Sequence, residues 1–303
     1  MDKNYLIIGA GGQDGTFLTK LLLKKNKKVH LVGNNLKVKK NKNIFKHNLD
    51  ISNTNSVHKL LSKFKNLKIF FLASHNIPSI AEESSELHYK NLSANVTSLV
   101  NFLEYIATKN KKMKLFYACS SQIYNSTNTT SQNELTTPKF NTNYALSKFL
   151  GKNICDYYRK EKKIFCSTGI MYSHVSKISK KQFLIKKILT QLRSNNAKIV
   201  VNNANAKIDI TSVIDVVSAM FKIINLKKTD NFIISTNKLV TVREIIRKLE
   251  KILNLKKRSI ISLKKNNNKN ITVLKGINKK IYKECNWRPL YKLDDILVSF
   301  AEV

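Results

Sequence analysis

The stretch Tyr5-Leu6-Ile7-Ile8-Gly9-Ala10-Gly11-Gly12-Gln13-Asp14-Gly15 decides the fold of this 303-residue chain. Four apolar residues make a strand-length run, three glycines follow at GxxGxxG spacing, and a helical run, Phe17–Lys24, comes next. Each glycine has a mechanical reason: Gly9 for a tight turn, Gly12 for close approach of a pyrophosphate to the backbone, and Gly15 for close packing of helix on strand. The helix start then offers free N–H groups and a partial positive charge to phosphates. The context of strand before and helix after is what turns a weak motif into an expectation of dinucleotide binding.

Outward from that turn, apolar runs alternate with amphipathic ones. Tyr5–Ile8, Val29–Val32, Ile69–Leu72, Leu115–Cys119 and Ile164–Ile170 read as strands. Phe17–Lys24, Ser56–Phe64, Leu99–Thr108 and a long segment from Asn143 to Arg159 read as helices between them. This alternation predicts an α/β Rossmann-type, doubly wound parallel sheet. The second half is less regular. Phe183–Leu192 reads as a helix, Phe232–Ser235 as a strand returning to the main sheet, and Val242–Leu253 as a helix opened by a Thr241/Glu244 capping box. The polar stretch Lys264–Asn270 reads as a loop. The expected division is a dinucleotide-binding domain over 1–172 with a returning segment at about 209–240, and a smaller α/β substrate-binding domain over 173–208 and 241–303.

The balance of 55 Lys+Arg against 19 Asp+Glu gives a formal charge of +36. Only six of the bases are Arg and 49 are Lys, spread along the whole chain. A nucleic-acid reader would lean on Arg forks and cluster its charge, so no nucleic-acid partner is expected, although the field favours anionic small molecules. The four cysteines show neither CxxC pairing nor a nearby His at metal spacing, so no metal is expected and the thiols read as reduced. Tyr5–Ile8 is too short for a secretory leader, and no run approaches the ~20 apolar residues of a membrane span. A soluble, cytoplasmic protein is the expectation.

Cofactor choice turns on the end of the second strand, where an acid would hold a ribose 2′-hydroxyl and a cation a 2′-phosphate. Gly33-Asn34-Asn35 with Lys37, Lys39 and Lys40 offers no acid there, which leaves NAD open and leans toward NADP. Asn48 and Leu49, after the third strand, stand where an adenine is held. Tyr144-Ala145-Leu146-Ser147-Lys148 matches YxxxK, in which a tyrosine acts as acid/base and the lysine lowers its pKa and holds the nicotinamide ribose. With 11 Tyr and 49 Lys, about two such matches arise by chance, and Tyr105 and Tyr158 also match. Position selects Tyr144: it opens a helix after the fifth strand, with Ser120 at the strand's end to bond the same substrate oxygen. Tyr105 and Tyr158 read as helix-face residues.

These residues resemble the GDP-mannose 4,6-dehydratase family, of the extended short-chain dehydrogenase/reductase kind. The resemblance is carried by Gly12-Gln13-Asp14-Gly15, by Leu72-Ala73-Ser74, by Gly169-Ile170-Met171-Tyr172-Ser173-His174, by Asn202 through Asp209, by Val242-Arg243-Glu244 and by Asn286-Trp287-Arg288-Pro289, in order along the chain. It implies cofactor contacts from Gly9, Gly12, Gln13, Asp14, Gly15, Leu72, Ala73 and His174, with Tyr144 and Lys148. It implies a nucleotide-diphosphate sugar, a GDP-linked hexose or heptose, as substrate, with Ser121 and Ser173 beside it. The family's catalytic threonine falls on Ser120, but its catalytic glutamate falls on Gln122, an amide with no protonation change to offer. Family arginines around the diphosphate fall on Ile208, Asn267 and Lys186, leaving Lys186 and Lys207 as point charges. The expected activity is therefore hydride transfer at the sugar C4. A full dehydratase recruiting Glu134 or His174 as base, and a non-catalytic RNA-binding Rossmann protein, are the alternatives. The resemblance also implies a homodimer or homotetramer pairing through Leu99–Thr108 and Asn143–Arg159, with Phe102, Tyr105, Phe149 and Tyr157 open to either interface or core.

Overall fold

The computed structural model describes residues 4–34, 36, 38–74, 85–125, 127–181, 183–194, 198–255, 260–263 and 273–301. The first half runs β1 (Asn4–Ile8), α1 (Gln13–Lys24), β2 (Lys28–Val32), β3 (Ile44–His47), α2 (Thr54–Leu61), β4 (Lys68–Phe71), α3 (Ser85–Leu92), α4 (Ser98–Thr108), β5 (Lys114–Ser120) and α5 (Asn143–Glu161). There follow β6 (Phe165–Met171), β7 (Ser173–Val175), α6 (Leu184–Arg193), β8 (Lys198–Val201), β9 (Lys207–Ile208), β10 (Ile210–Ser212) and α7 (Val213–Ile224). The chain then forms β11 (Asn231–Ile234), β12 (Val240–Thr241), α8 (Val242–Ile252), β13 (Ile260–Leu263), α9 (Lys279–Cys285) and α10 (Leu293–Ala301).

Seven strands form one parallel sheet in the order β3-β2-β1-β4-β5-β6-β11. The strand alternation of side chains feeds two cores. Leu6 and Ile8 of β1, Phe71 of β4 and Tyr117 of β5 pack under α2, α4 and α5. Tyr5 and Ile7, Phe70 and Phe116 pack under α1, α7 and α9. Burial on both faces is why these strands read as continuous apolar runs in sequence. A third core joins α6, α8 and α10 with β8, around Ile188, Ile246 and Phe300.

The expected strands and helices are present to within a few residues, and β11 pairs with β6 as the returning strand. The capping box of α8 is formed as read: Thr241 Oγ1 accepts from Glu244 N, and Glu244 Oε2 accepts from Thr241 N. Helix α7 is not among the helices read from the sequence, although its polar residues Asp215, Ser218 and Lys222 recur at helical spacing within an otherwise apolar run. Within the C-terminal stretch, Ile281 and Trp287 join the core of the main sheet, where Trp287 Nε1 donates to Asp215 O at 3.1 Å. Lys264–Asn270 lies outside the described residues. Tyr105 and Tyr158 face inward from their helices and are buried, and the Tyr158 hydroxyl bonds the Glu104 carboxylate. Phe102 is likewise core, whereas Tyr157 is half exposed and Phe149 stacks near Phe140 at 5.2 Å. Among the described residues no helix is long and apolar enough to cross a membrane.

Strand order reverses at β1, with β2 on one side and β4 on the other, which is where open α/β sheets place their ligand crevice. Gly9 makes the turn at the end of β1 with φ of 89°, and a Cβ there would stand 2.7 Å from Ala73 N. Gly9→Ala combines a left-handed backbone with overlap against backbone, and should destabilise the protein by about 3 kcal/mol. Urea unfolding of the variant measures this; a midpoint equal to that of the native protein would show that the turn relaxes freely.

Candidate active site

The first turn of α1 carries no side-chain cap: Gly12 is the N-cap residue, in an extended conformation. The N–H groups of the first turn are thus available to an anion. Gly15 has another duty, since its Cβ would come 2.6 Å from both Ala10 Cα and Gly9 O. At Gly12 the nearest atom to an added Cβ is Gly9 O at 3.4 Å, an ordinary contact, so the structure itself does not demand glycine there. An uncapped helix start behind a glycine turn fits the pyrophosphate of a dinucleotide.

A cleft of about 380 Å³ opens beside this turn, lined by Gly33, Asn34, Leu36, Lys46, His47, Asn48 and Leu49. Its place at the ends of β2 and β3 matches the adenosine half of such a cofactor. Asn48 and Leu49 are among its lining residues. The described cation on its wall is Lys46, which the sequence reading passed over, because a lysine inside a strand gives no local sign of which loop it faces. Lys39 and Lys40 are exposed, while Asn35 and Lys37 lie outside the described residues. His30 Nδ1 is bonded to His47 Nε2 at 2.9 Å, and burial, followed by the charges of His47 and Lys28, pulls His30 down to about 4.

At the ends of β4 and β5 the structure gathers Ser120, Tyr144 and Lys148. Thr142 caps α5 by accepting from Ala145 N at 3.2 Å, which fixes Tyr144 in its first turn. The Ser120 hydroxyl faces the Tyr144 hydroxyl; burial pushes that phenol up to about 12, and Ser120 offsets part of the rise. Ser74 lies next to it, and its hydroxyl, like that of Ser120, favours the ionised phenol and offsets part of the rise. Lys148 is 2% exposed and donates to Ala118 O at 2.9 Å. Burial pulls its ammonium down to about 8, so it remains charged at neutral pH. Gln122 follows in a short 3₁₀ turn, its Oε1 accepting from Asn125 Nδ2 at 3.3 Å.

Gln13 and Asp14 reach across to the segment after β6. Gln13 Oε1 accepts from Ser176 Oγ (2.8 Å) and Ser179 Oγ (2.6 Å), and the Asp14 carboxylate meets His174 Nε2 at 3.0 Å. Burial alone would lower the His174 pKa, but the Asp14 charge and hydrogen bond outweigh it and raise it to about 9. His174 is thus an imidazolium at neutral pH. Asp14 is held below the usual carboxylate range: burial opposes this, and His174 overcomes it.

The substrate-side residues are less convergent. Ser173 sits exposed on β7 and Lys207 exposed on β9, while Ser121 is 4% exposed and largely closed off. The Lys186 ammonium lies over the Phe300 ring at 5.5 Å, packed onto α10. Ile208 pairs with Val240, and Asn267 is outside the described residues. Glu134 Oε1 accepts from Ile233 N at 2.9 Å, within the outer strand β11.

A seven-stranded parallel sheet with a glycine turn at its switch point and a Ser–Tyr–Lys group at its strand ends defines a nicotinamide-dependent enzyme of the extended short-chain dehydrogenase/reductase class. The sequence profile of GDP-mannose 4,6 dehydratase matches residues 6–299, and the chain belongs to that family as a divergent member. GDP-mannose 4,6 dehydratase 2 of Caenorhabditis elegans is 26% identical over 262 residues, 80% of this chain and 68% of that protein. Among solved structures, dTDP-glucose 4,6-dehydratase of Bacillus anthracis in complex with NAD superposes with a TM-score of 0.83 at 18% identity, covering 99% of this chain and 95% of the other. RMD of Pseudomonas aeruginosa, complexed with NADPH, gives a TM-score of 0.79 at 15% identity, covering 99% and 98%.

The Asp14–His174 pair has a defined pH signature. Its stabilisation through His174 is complete below the ordinary histidine value near 6.5 and is lost as pH rises through about 9. Imidazole NMR should find one histidine titrating near 9, and Asp14→Asn should move that midpoint below 6.5, since burial then dominates. A midpoint unchanged in Asp14→Asn would refute the pairing.

Proposed function

We propose that this chain is an NAD(P)-dependent oxidoreductase acting at C4 of a nucleotide-diphosphate sugar, with Tyr144 as acid/base. The observation that carries this reading is a complete Ser120–Tyr144–Lys148 group beside an amide, Gln122, where the family places a carboxylate. Bound NAD(P) supplies the hydride acceptor or donor. In the oxidative direction the C4–H bond breaks as a hydride leaves carbon, and the C4 hydroxyl proton passes to the Tyr144 oxygen. Ser120 hydrogen-bonds the same substrate oxygen, and the positive charge of Lys148 favours the phenolate that accepts the proton. The uncapped start of α1 holds the pyrophosphate. With Lys46 on the adenosine cleft and no acid among its lining residues, NADP is the favoured form.

The substrate is a GDP-linked hexose or heptose by family membership, and the strongly positive chain favours such an anion. Dehydration would need a base for the C5 proton. Glu134 is engaged with a strand N–H and His174 already holds its proton, so neither favours a full dehydratase. The dispersed lysines do not favour RNA as partner. We place the enzyme in the cytoplasm and as a homodimer or homotetramer, by analogy with the family.

Tyr144→Phe should lower turnover by about 10²–10⁴-fold while NADPH binding persists. Turnover retained in that variant would remove Tyr144 from the mechanism. GDP-mannose incubated with protein and NADP should keep its mass in mass spectrometry. Loss of one water would establish a dehydratase working without the glutamate, and Gln122→Glu should then bring no large gain.

A further inference from the structure

Lys148 is a buried cation with little around it to hold its charge. Its Nζ has one hydrogen bond, to Ala118 O, and no ion pair with a carboxylate among the described residues. Two tyrosine rings take the place of a carboxylate. The Tyr117 ring centroid is 5.2 Å from Nζ and that of Tyr144 is 5.9 Å away. A cation within about 6 Å of a ring is attracted by its quadrupole, more strongly when water is excluded. Tyr144 is the reacting group; Tyr117, in β5, is fully buried.

The hydroxyl of Tyr117 is fixed by an unusual piece of backbone. Between α3 and α4 the chain widens into a π turn, Ser93–Thr97, and Asn95 at its centre is fully buried. Tyr117 donates to Asn95 O at 3.4 Å. Asn95 Nδ2 donates to Ser147 Oγ at 3.0 Å, and Ser147 Oγ to Tyr144 O at 2.8 Å. One widened turn thus touches both the ring under Lys148 and the backbone of Tyr144. π turns of this kind often mark functional sites. Gly151 completes the fit: a Cβ there would collide with the Tyr117 hydroxyl and stand 2.8 Å from Asn95 O. Glycine in the interior of a helix is unfavourable, so its presence in α5 is explained by the tyrosine it accommodates.

We propose that Tyr117 is a positioning residue for Lys148: its ring face, anchored on the π turn at Asn95, keeps the ammonium charged and seated beside Tyr144. The other groups facing Lys148 are Cys119 on β5, Cys155 and Tyr144 on α5, and Asp14 on α1, itself paired with His174. Burial raises the thiols, Cys119 to about 11, so they are neutral at neutral pH. Lys152, on α5, is paired with Asp156. Asp14 is thus the one anion facing the ammonium among these groups, and it is shared with an imidazolium. The consequence for cofactor binding rests on the function proposed above, whereas the ionisation of Lys148 does not.

The test reads that ionisation directly, in cofactor-free protein labelled with ε-¹³C lysine, the Lys148 signal being assigned by its loss in Lys148→Met. In Tyr117→Leu the Lys148 midpoint should fall by about one pH unit, a tenfold weaker hold on the proton. Tyr117→Phe keeps the ring and should leave the midpoint where it is. Pentafluorophenylalanine at 117 keeps the shape while reversing the charge of the face, and should reproduce the leucine result, which decides the matter if Tyr117→Leu does not fold. A midpoint unmoved by fluorination, or moved equally by Tyr117→Phe, overturns the proposal. NADPH titrations on the same proteins should lose affinity as Lys148 deprotonates, about one unit lower in the fluorinated variant. Failure of the native protein to bind NADPH at any pH would sink the functional reading and leave the lysine titration to stand by itself.

Discussion

Backbone lies against backbone where β1 ends, and the rest of the site is hung from that contact. Gly9 turns against the Ala73 amide, and Gly15 packs the first turn of α1 onto Ala10 and the Gly9 carbonyl. No side chain beyond hydrogen fits at either place. The approach puts the start of α1 at the sheet's switch point, level with the ends of β4 and β5. From there Gln13 and Asp14 bind Ser176, Ser179 and His174, so the turn also locates the segment after β6. That segment continues through β7, which pairs with β10, and so leads into the third core. A change of a few tenths of an ångström at Gly9 would therefore be felt on both sides of the crevice.

Charge is scarce inside the crevice of a chain that carries so much of it outside. Lys148, Asp14 and His174 are desolvated together, two cations around one anion. Buried charges persist only when paired or otherwise solvated by protein dipoles. Asp14 is committed to His174 by direct hydrogen bonds, which leaves Lys148 to a carbonyl and two aromatic faces. A lysine so held is poised near its own pKa, and small changes in its surroundings move its charge. The same site in a protein with a carboxylate at position 122 would contain a second anion and would settle its charges differently.

The parts legible in sequence are those where local chemistry and fold agree. The glycine spacing, the strand runs and the Thr241/Glu244 capping box each follow from short-range rules, and all are present in the structure. Tyr144 was separable from Tyr105 and Tyr158 only by its place after β5, since the motif itself recurs by chance. What the sequence could not show is long-range adjacency. Ser74 beside Tyr144 and Tyr117 under Lys148 are brought together by strand order, not by spacing. Helix α7 escaped for another reason: only Asp215, Ser218 and Lys222 mark its helical period in an otherwise apolar run. Phe102 and Tyr105, open between core and interface in sequence, are settled by burial in favour of the core.

On the proposed reading, Gln122 divides the chemistry of the family at a definite step. Hydride transfer at C4 requires a proton carrier, a hydroxyl to share the oxygen and a nearby positive charge, which Tyr144, Ser120 and Lys148 supply. Elimination across C5 and C6 requires a further group that changes protonation within the cycle, and an amide held by Asn125 does not. The two candidate substitutes are spent on structure, Glu134 on the edge strand and His174 on Asp14. A chain that had merely lost activity would be free to loosen the rest of the site. Here Gly151 stands in the interior of α5, against helix propensity, where it makes room for Tyr117 and Asn95.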